Sequence, residues 1–253
     1  MPTILHKDSR VEMHRVPGDT LAGASLRGFD LRHADLRGAN CRAADLCLTD
    51  LGDGDLSTAT LISADLTLAT LTRCAFRHAT LGDARLQAVT APAADWSDAD
   101  LTRVTLKNSS LRGATFANAN LRRADLSRVD LTDADLTGAD LTDANLSFAI
   151  LTGARLPYAA LIGAVLTGAT LRGADMRHTE LSLATFNGAD LTDADWANAM
   201  CGGTVIARSR GVATVRGLDT LTHLASSSID RATVHSARDR LPRAFLDAYD
   251  SPS

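Results

Sequence analysis

From Leu21 to Trp196 an apolar residue returns at every fifth position without a slip of register. Of 36 such positions, 28 are Leu, three Phe and two Trp, with one Met, one Cys and one Ala. A period of five is neither the 3.6 of a helix face nor the 2 of a strand face. Two residues before each central position stands a small one, Ala in 26 of the 36 cases, and the residue between the two is Asp or Asn in 18 and Ser or Thr in 11. Residues two apart in extended backbone point to the same side. The Ala and the Leu therefore face inward together, and the polar residue between them faces out. The last two residues of each unit must then turn the chain. Gly takes the second of these places in ten units, from Gly23 and Gly28 to Gly173 and Gly188, where a type II turn needs positive φ. Pro92 and Pro157 take the first, which Pro favours. So short a unit can bury its Leu only by stacking on copies of itself, which makes the chain a solenoid and not a globule.

The unit, seen in Ala134-Asp135-Leu136-Thr137-Gly138 and again in Ala139-Asp140-Leu141-Thr142-Asp143, resembles that of the pentapeptide-repeat family across about 70% of the chain. The resemblance implies an all-β fold, a right-handed quadrilateral β-helix with four units and 20 residues per coil. Sorting the central residues at a spacing of 20 supports four sides independently. One column reads Leu36, Leu56, Phe76, Trp96, Phe116, Leu136, Leu156, Met176, Trp196 and gathers five of the six bulky residues other than Leu. Nine coils at the strand spacing of ~4.8 Å make a rod of about 43 Å.

Three segments are expected: an N-terminal leader or cap over 1–18, the repeat β-helix over 19–203, and C-terminal capping strands with short helices over 204–253. In the last, Asp219 is placed to N-cap a turn through His223, Ser228 a segment through Ala237, and Pro242 to start a helix with Phe245, Leu246 and Tyr249 on one side. This segment either covers the last coil or pairs two rods as a homodimer through Leu241, Phe245, Leu246 and Tyr249. Similarity to gyrase-protecting relatives, in which a C-terminal helix makes a dimer, favours pairing. The stretches Gly217–Leu224, Ser227–Asp230 and Leu241–Leu246 also resemble a tail that, in some bacterial pentapeptide-repeat proteins, leads into a TIR-type signalling domain. The sequence stops at Ser253, where that domain would start, so no TIR activity is assigned.

Chemistry is hard to place on such a chain. Hydrophobic residues make up 45% but aromatic ones only 4%, which fits a narrow core of Leu and Ala. No apolar run approaches the ~20 residues of a membrane span and the first 18 residues lack a signal-peptide stretch, so no membrane and a cytoplasmic location are expected. Cys41 and Cys201 take inward positions, Cys74 an Ala position and Cys47 a corner facing out. None forms a Cys-x-x-Cys pair, and neither a metal nor a disulfide framework is expected. His33, His78 and His178 fall on second turn positions and read as solvated surface. Fifteen Asp lie between Ala and Leu, where short polar side chains accept hydrogen bonds from turn backbone. Catalysis would need carboxylates with different environments in a cleft. There is no phosphate loop, nucleophile elbow or His-Glu zinc motif. Catalytic residues, cofactors and enzymatic activity are not expected.

Function then lies on outward positions. Arg27, Arg32, Arg37 and Arg42 put one Arg on each side of one coil, as a charged cap or a site for phosphate or an acidic partner. Asp125, Asp130, Asp133, Asp135, Asp140 and Asp143 form an acidic belt, with only Arg128 against them between residues 124 and 147. Phe148, Ile150, Tyr158, Ile162 and Val165 stand where polar groups are usual and are the candidate partner surface. The leading reading is a non-enzymatic protein-interaction module with a protein partner of unknown identity and no direct nucleic-acid binding, the recognition part of a bacterial signalling or defence system. The alternative comes from the family resemblance: a branch of pentapeptide-repeat proteins protects DNA gyrase by imitating duplex DNA. Duplex DNA carries one charge per ~1.7 Å, so a rod of about 43 Å needs roughly 25 negative charges. Residues 19–200 hold 23 acidic and 16 basic residues, a net of −7.

Overall fold

The computed structural model describes residues 2–16, 20–224, 227–230, 233–235 and 241. Every five-residue unit makes one side of a four-sided coil and one corner. Parallel bridges join residues 20 apart in four rows, without interruption from Ser25↔Asp45 to Asp190↔Arg210. The expected 20-residue coil is therefore the observed one. Central residues are buried along the whole rod, and so are their Ala partners except Ala24 and Ala39 of the first coil, which are partly buried.

The unit around Leu136 shows where the backbone donors go. Leu136 N–H donates to the Arg155 carbonyl of the next coil (2.6 Å), Gly138 N–H to that of Pro157 (2.9 Å), and Asp135 N–H back to Ala114 (2.9 Å); Ala139 N–H closes the turn onto Leu136 (3.0 Å). The remaining donor is Thr137 N–H, and the Asp135 carboxylate accepts it at 3.0 Å. Asp140 does the same for Thr142 and Asp125 for Ser127. The outward Asp is thus the acceptor for the one amide that stacking leaves over. Arg155 precedes Pro157, which has no N–H to satisfy.

Positive φ occurs at every second turn position from Gly23 to Gly203, on 26 residues other than Gly as well as on eleven Gly. Arg103, for example, has φ 57, a conformation costing an L-residue roughly 1–2 kcal/mol. The lattice imposes it: Arg103 N–H must reach the Arg122 carbonyl at 2.9 Å.

Inside, the aromatic column is a ladder. Phe76 and Trp96 stack with centroids 4.1 Å apart, Trp96 and Phe116 at 5.9 Å, and Phe186 meets Trp196 across the core at 5.1 Å. Cys47 is a correction, because it is buried. Its short side chain stays close to a backbone that is bonded on both sides, the amide donating to Asp45 and the carbonyl accepting from Gly28 of the coil before. Burial pushes the Cys41 thiol up to about 12 and that of Cys201 to about 11, so neither supplies a thiolate nucleophile.

The first coil is covered by a hairpin. β1 (Thr3–His6) pairs antiparallel with β2 (Glu12–Arg15) and, on its other edge, with β3 (Ala34–Asp35) of the first coil. Ile4 and Val16 close the end of the core.

Beyond residue 203 the five-residue pattern is lost but the coil continues with longer sides. Asp195 bridges Arg216 at a spacing of 21. β4 (Met200–Cys201) pairs in parallel with β6 (Thr222–His223) at 22, and β5 (Val205–Ile206) with β7 (Ser228–Ile229) at 23. Gly211 and Gly217 account for two of the three extra residues, each opening a short 3-10 turn, Val212–Thr214 and Leu218–Thr220. A Cβ on Gly217 would stand 2.4 Å from the Ala197 backbone. Threonine hydroxyls replace the displaced carbonyls: Asp193 N–H donates to Thr214 Oγ1 and Asn198 N–H to Thr220 Oγ1, both at 2.9 Å. Two expected caps are corrected accordingly. Gly217, not Asp219, caps the turn through Thr220, and Ser228 lies in a strand because the coil beneath offers it a pairing edge. Leu241 is buried against the chain's own core. Pro242, Phe245, Leu246 and Tyr249 lie outside the described residues.

Candidate functional site

Second turn positions 20 apart stack into one corner of the rod. One corner carries Leu48, Leu68, Ala88, Asn108, Arg128, Phe148 and Gly168 in successive coils. Phe148 is 53% exposed, yet its ring is held. The Arg128 guanidinium carbon lies 5.1 Å from its centroid, and its edge lies over Gly168, where a Cβ would come within 2.7 Å of ring carbons. Glycine there leaves room for the ring.

Ile150 opens the side after this corner, and Val165 lies on the side before it, one coil further on. Both are partly exposed. They occupy the position at which Asp or Asn in other units accepts the leftover turn amide, and they carry no acceptor. The repeat thus gives up a local hydrogen bond at these places and gains exposed apolar surface, a conflict of the kind found at functional sites.

The structure brings together only part of the sequence-derived set. Phe148, Ile150 and Val165 surround one corner. Tyr158 stands on the diagonally opposite corner, its ring stacked on His178 at 4.8 Å, and Ile162 is half-buried on another side. Conversely, Leu48 and Leu68, each about half exposed, continue the Phe148 corner toward the first coil. Their apolar character at second turn positions was the available signal.

The acidic belt does not act as a block. Its six carboxylates are distributed over all four sides, and four meet arginines of neighbouring coils: Asp130 with Arg112 (3.2 Å), Asp140 with Arg122 (3.1 Å), Asp143 with Arg123 (3.5 Å) and Asp135 with Arg155 (3.6 Å). Burial raises the Asp130 pKa, but hydrogen bonds from Thr132 and Arg112 outweigh it and hold the carboxyl below the usual range. Three of the four collar arginines are likewise engaged. Arg32 forks onto Asp30, Arg37 onto Asp35, and Arg27 reaches Asp45 at 3.8 Å. The hydrogen bond from Arg32 pulls Asp30 down to about 2. Guanidinium groups so occupied are poor receptors for a free phosphate.

No helix among the described residues is long and apolar enough to cross a membrane. The profile of pentapeptide repeats matches in eight copies, over residues 20–53, 81–118, 99–138, 119–157, 130–168 and 159–195. No curated protein matches the chain. Among solved structures it is similar to a pentapeptide repeat protein of the Arabidopsis thaliana thylakoid lumen, at 31% identity over 39% of this chain and 68% of that one, TM-score 0.38. HetL of the cyanobacterium Nostoc sp. strain PCC 7120, involved in heterocyst differentiation regulation, is 26% identical over 80% and 88%, TM-score 0.32. QnrB1, a plasmid-mediated fluoroquinolone resistance protein, is 17% identical over 76% and 95%, TM-score 0.43.

Proposed function

The chain belongs to the pentapeptide-repeat family, and on that premise we propose that it is a non-enzymatic recognition rod whose Phe148 corner, with Ile150 and Val165, docks a protein partner. The observation that carries this reading is the replacement of the turn-capping acceptor by Ile150 and Val165 beside a half-exposed Phe148, all within two adjacent coils. The charges around this corner are largely paired within the rod. What favours it over the isolated exposed residues Tyr158 and Leu183 is that three apolar side chains gather at one place. Membership of a signalling or defence system rests on the resemblance of the tail.

Imitation of DNA fits less well. A net charge of −7 over residues 19–200 is under a third of the roughly 25 charges on an equal length of duplex, and the belt is neutralised by Arg112, Arg122, Arg123 and Arg155.

The test compares proteins retained by the immobilised full chain, by a Phe148→Asp/Ile150→Asp/Val165→Asp variant and by a Tyr158→Asp control. A partner kept by wild type and control but lost by the triple variant is expected. Identical retention by all three refutes docking at this corner. Protection of gyrase from quinolone-induced cleavage by the unmodified protein would replace this reading with the DNA-mimic one.

A further inference from the structure

At the N-terminal end, the turn of the capping hairpin meets a corner of the first coil. His6 closes β1, Asp8 lies in the hairpin turn, and His33 occupies a second turn position at φ 61. One ligand atom from each of these three side chains lies within 4.8 Å of the other two. The imidazoles of His6 and His33 stack with centroids 5.2 Å apart. From sequence His33 reads as solvated surface with no metal role; the hairpin is what brings it a partner.

We propose that His6, Asp8 and His33 form a binding site for a divalent first-row transition ion, with zinc as the best-suited species, that pins the hairpin cap to the first coil. Two imidazoles and one carboxylate are the donor set that suits such ions. A tetrahedral ion about 2.1 Å from each ligand requires them roughly 3.4 Å apart. The ligand atoms need therefore draw in by at most about 1.4 Å, with the two stacked rings turning towards the ion, and the exposed Asp8 moves most readily.

The backbone beneath them is already fixed. Lys7 N–H donates to the His33 carbonyl at 2.7 Å, and His6 and Leu5 pair with Ala34 and Asp35. Ligands from segments more than 20 residues apart are thus held in register before any ion arrives. The Asp8 and Ser9 amides approach His6 Nδ1 at 3.3 Å each. Both contacts are long and exposed, so giving them up on metal binding returns two amides to water at little cost. Neighbouring carboxylates are committed elsewhere: Asp30 to Arg32, Asp35 to Arg10 and Arg37, and Asp53 to Arg73. The remaining coordination positions fall to water.

The consequence is mechanical. β1 holds β3 through only two paired residues, and an ion joining His6 and Asp8 to His33 adds a cross-link at that short contact.

The experiment uses the full chain, with zinc as the probe in competition with a chromogenic chelator. The variants are His6→Ala, Asp8→Asn and His33→Asn, the last chosen because Asn tolerates positive φ. Far-UV spectra establish that the coils are retained. One zinc per chain is expected. Loss of an outer-shell partner alone weakens a metal site by about 10–100-fold, so each variant should bind at least about tenfold more weakly. Zinc should also slow hydrogen exchange of the Lys7 amide in the wild type alone. No zinc binding, or equal binding by a His6→Ala/His33→Asn double variant, overturns the site. Binding that leaves Lys7 exchange unchanged overturns the pinning.

Discussion

Gly173 and Gly217 both have positive φ, 62 and 73, and the structure assigns them different reasons for being glycine. A Cβ at position 173 would meet nothing within 4 Å. Alanine already adopts the same conformation at Ala43, Ala88 and Ala93. For Gly173→Ala the left-handed backbone costs roughly 1–2 kcal/mol, while restriction of the unfolded chain returns about 0.4–1 kcal/mol. The net change should stay near 1 kcal/mol or below. At position 217 the new Cβ would lie 2.4 Å from Ala197 N and Cα and 2.6 Å from its Cβ. Backbone atoms cannot swing aside, so the terminal turn must lift from the coil below. Overpacking of this kind costs about 1–3 kcal/mol, and the strained Asn198-to-Thr220 hydrogen bond about 1 kcal/mol more. Gly217→Ala should therefore destabilise the last turn by roughly 3 kcal/mol. Because each coil contacts only its neighbours, the loss should be local. The assay is hydrogen exchange of the Asn198 amide, which donates to Thr220 Oγ1. At about 1.4 kcal/mol per factor of ten, exchange should accelerate on the order of 100-fold, with the Leu136 amide unaffected. Equal effects of the two substitutions on their local amides would show that φ alone, and not the close approach, demands glycine at 217.

Leu136 is fully buried midway along the rod, so Leu136→Asp puts an unpaired carboxylate between coils; it should open the stack locally, seen as new proteolytic cleavage near residue 136, and an unchanged digestion pattern would contradict the inward assignment. Acid should weaken the first coils, because the folded-state pKa of Asp30, about 2, lies below its ordinary 3.8, and that of Asp35 is lowered further by Arg37 and Arg10. Their contribution is complete above the ordinary value and is lost as pH falls from about 4 towards 2; a melting temperature that already declines between pH 7 and pH 5 would rule these pairs out as the source.

The repeat is legible because it is periodic: a unit whose Leu and Ala must be buried together, with a turn every fifth residue, has only stacking open to it, and the column from Leu36 to Trp196 marks the coil length. The role of the outward Asp was readable for the same reason, since each unit leaves its own turn amide to satisfy. What sequence windows could not show is anything that depends on residues about 20 apart coming within contact. The belt from Asp125 to Asp143 counts as acidic along the chain, yet Arg112, Arg122, Arg123 and Arg155 lie against it in neighbouring coils. Phe148, Ile150 and Val165 converge while Tyr158 and Ile162 stand apart, because which corner a residue occupies depends on its position in the coil and not on its distance along the chain. His33 reads as a lone surface histidine until the hairpin is folded over it. Past residue 203 the period disappears although the coil persists: Gly211 and Gly217 lengthen the sides, Thr214 and Thr220 supply the missing acceptors, and the coil already formed beneath is the template that makes those longer sides a continuation of the rod.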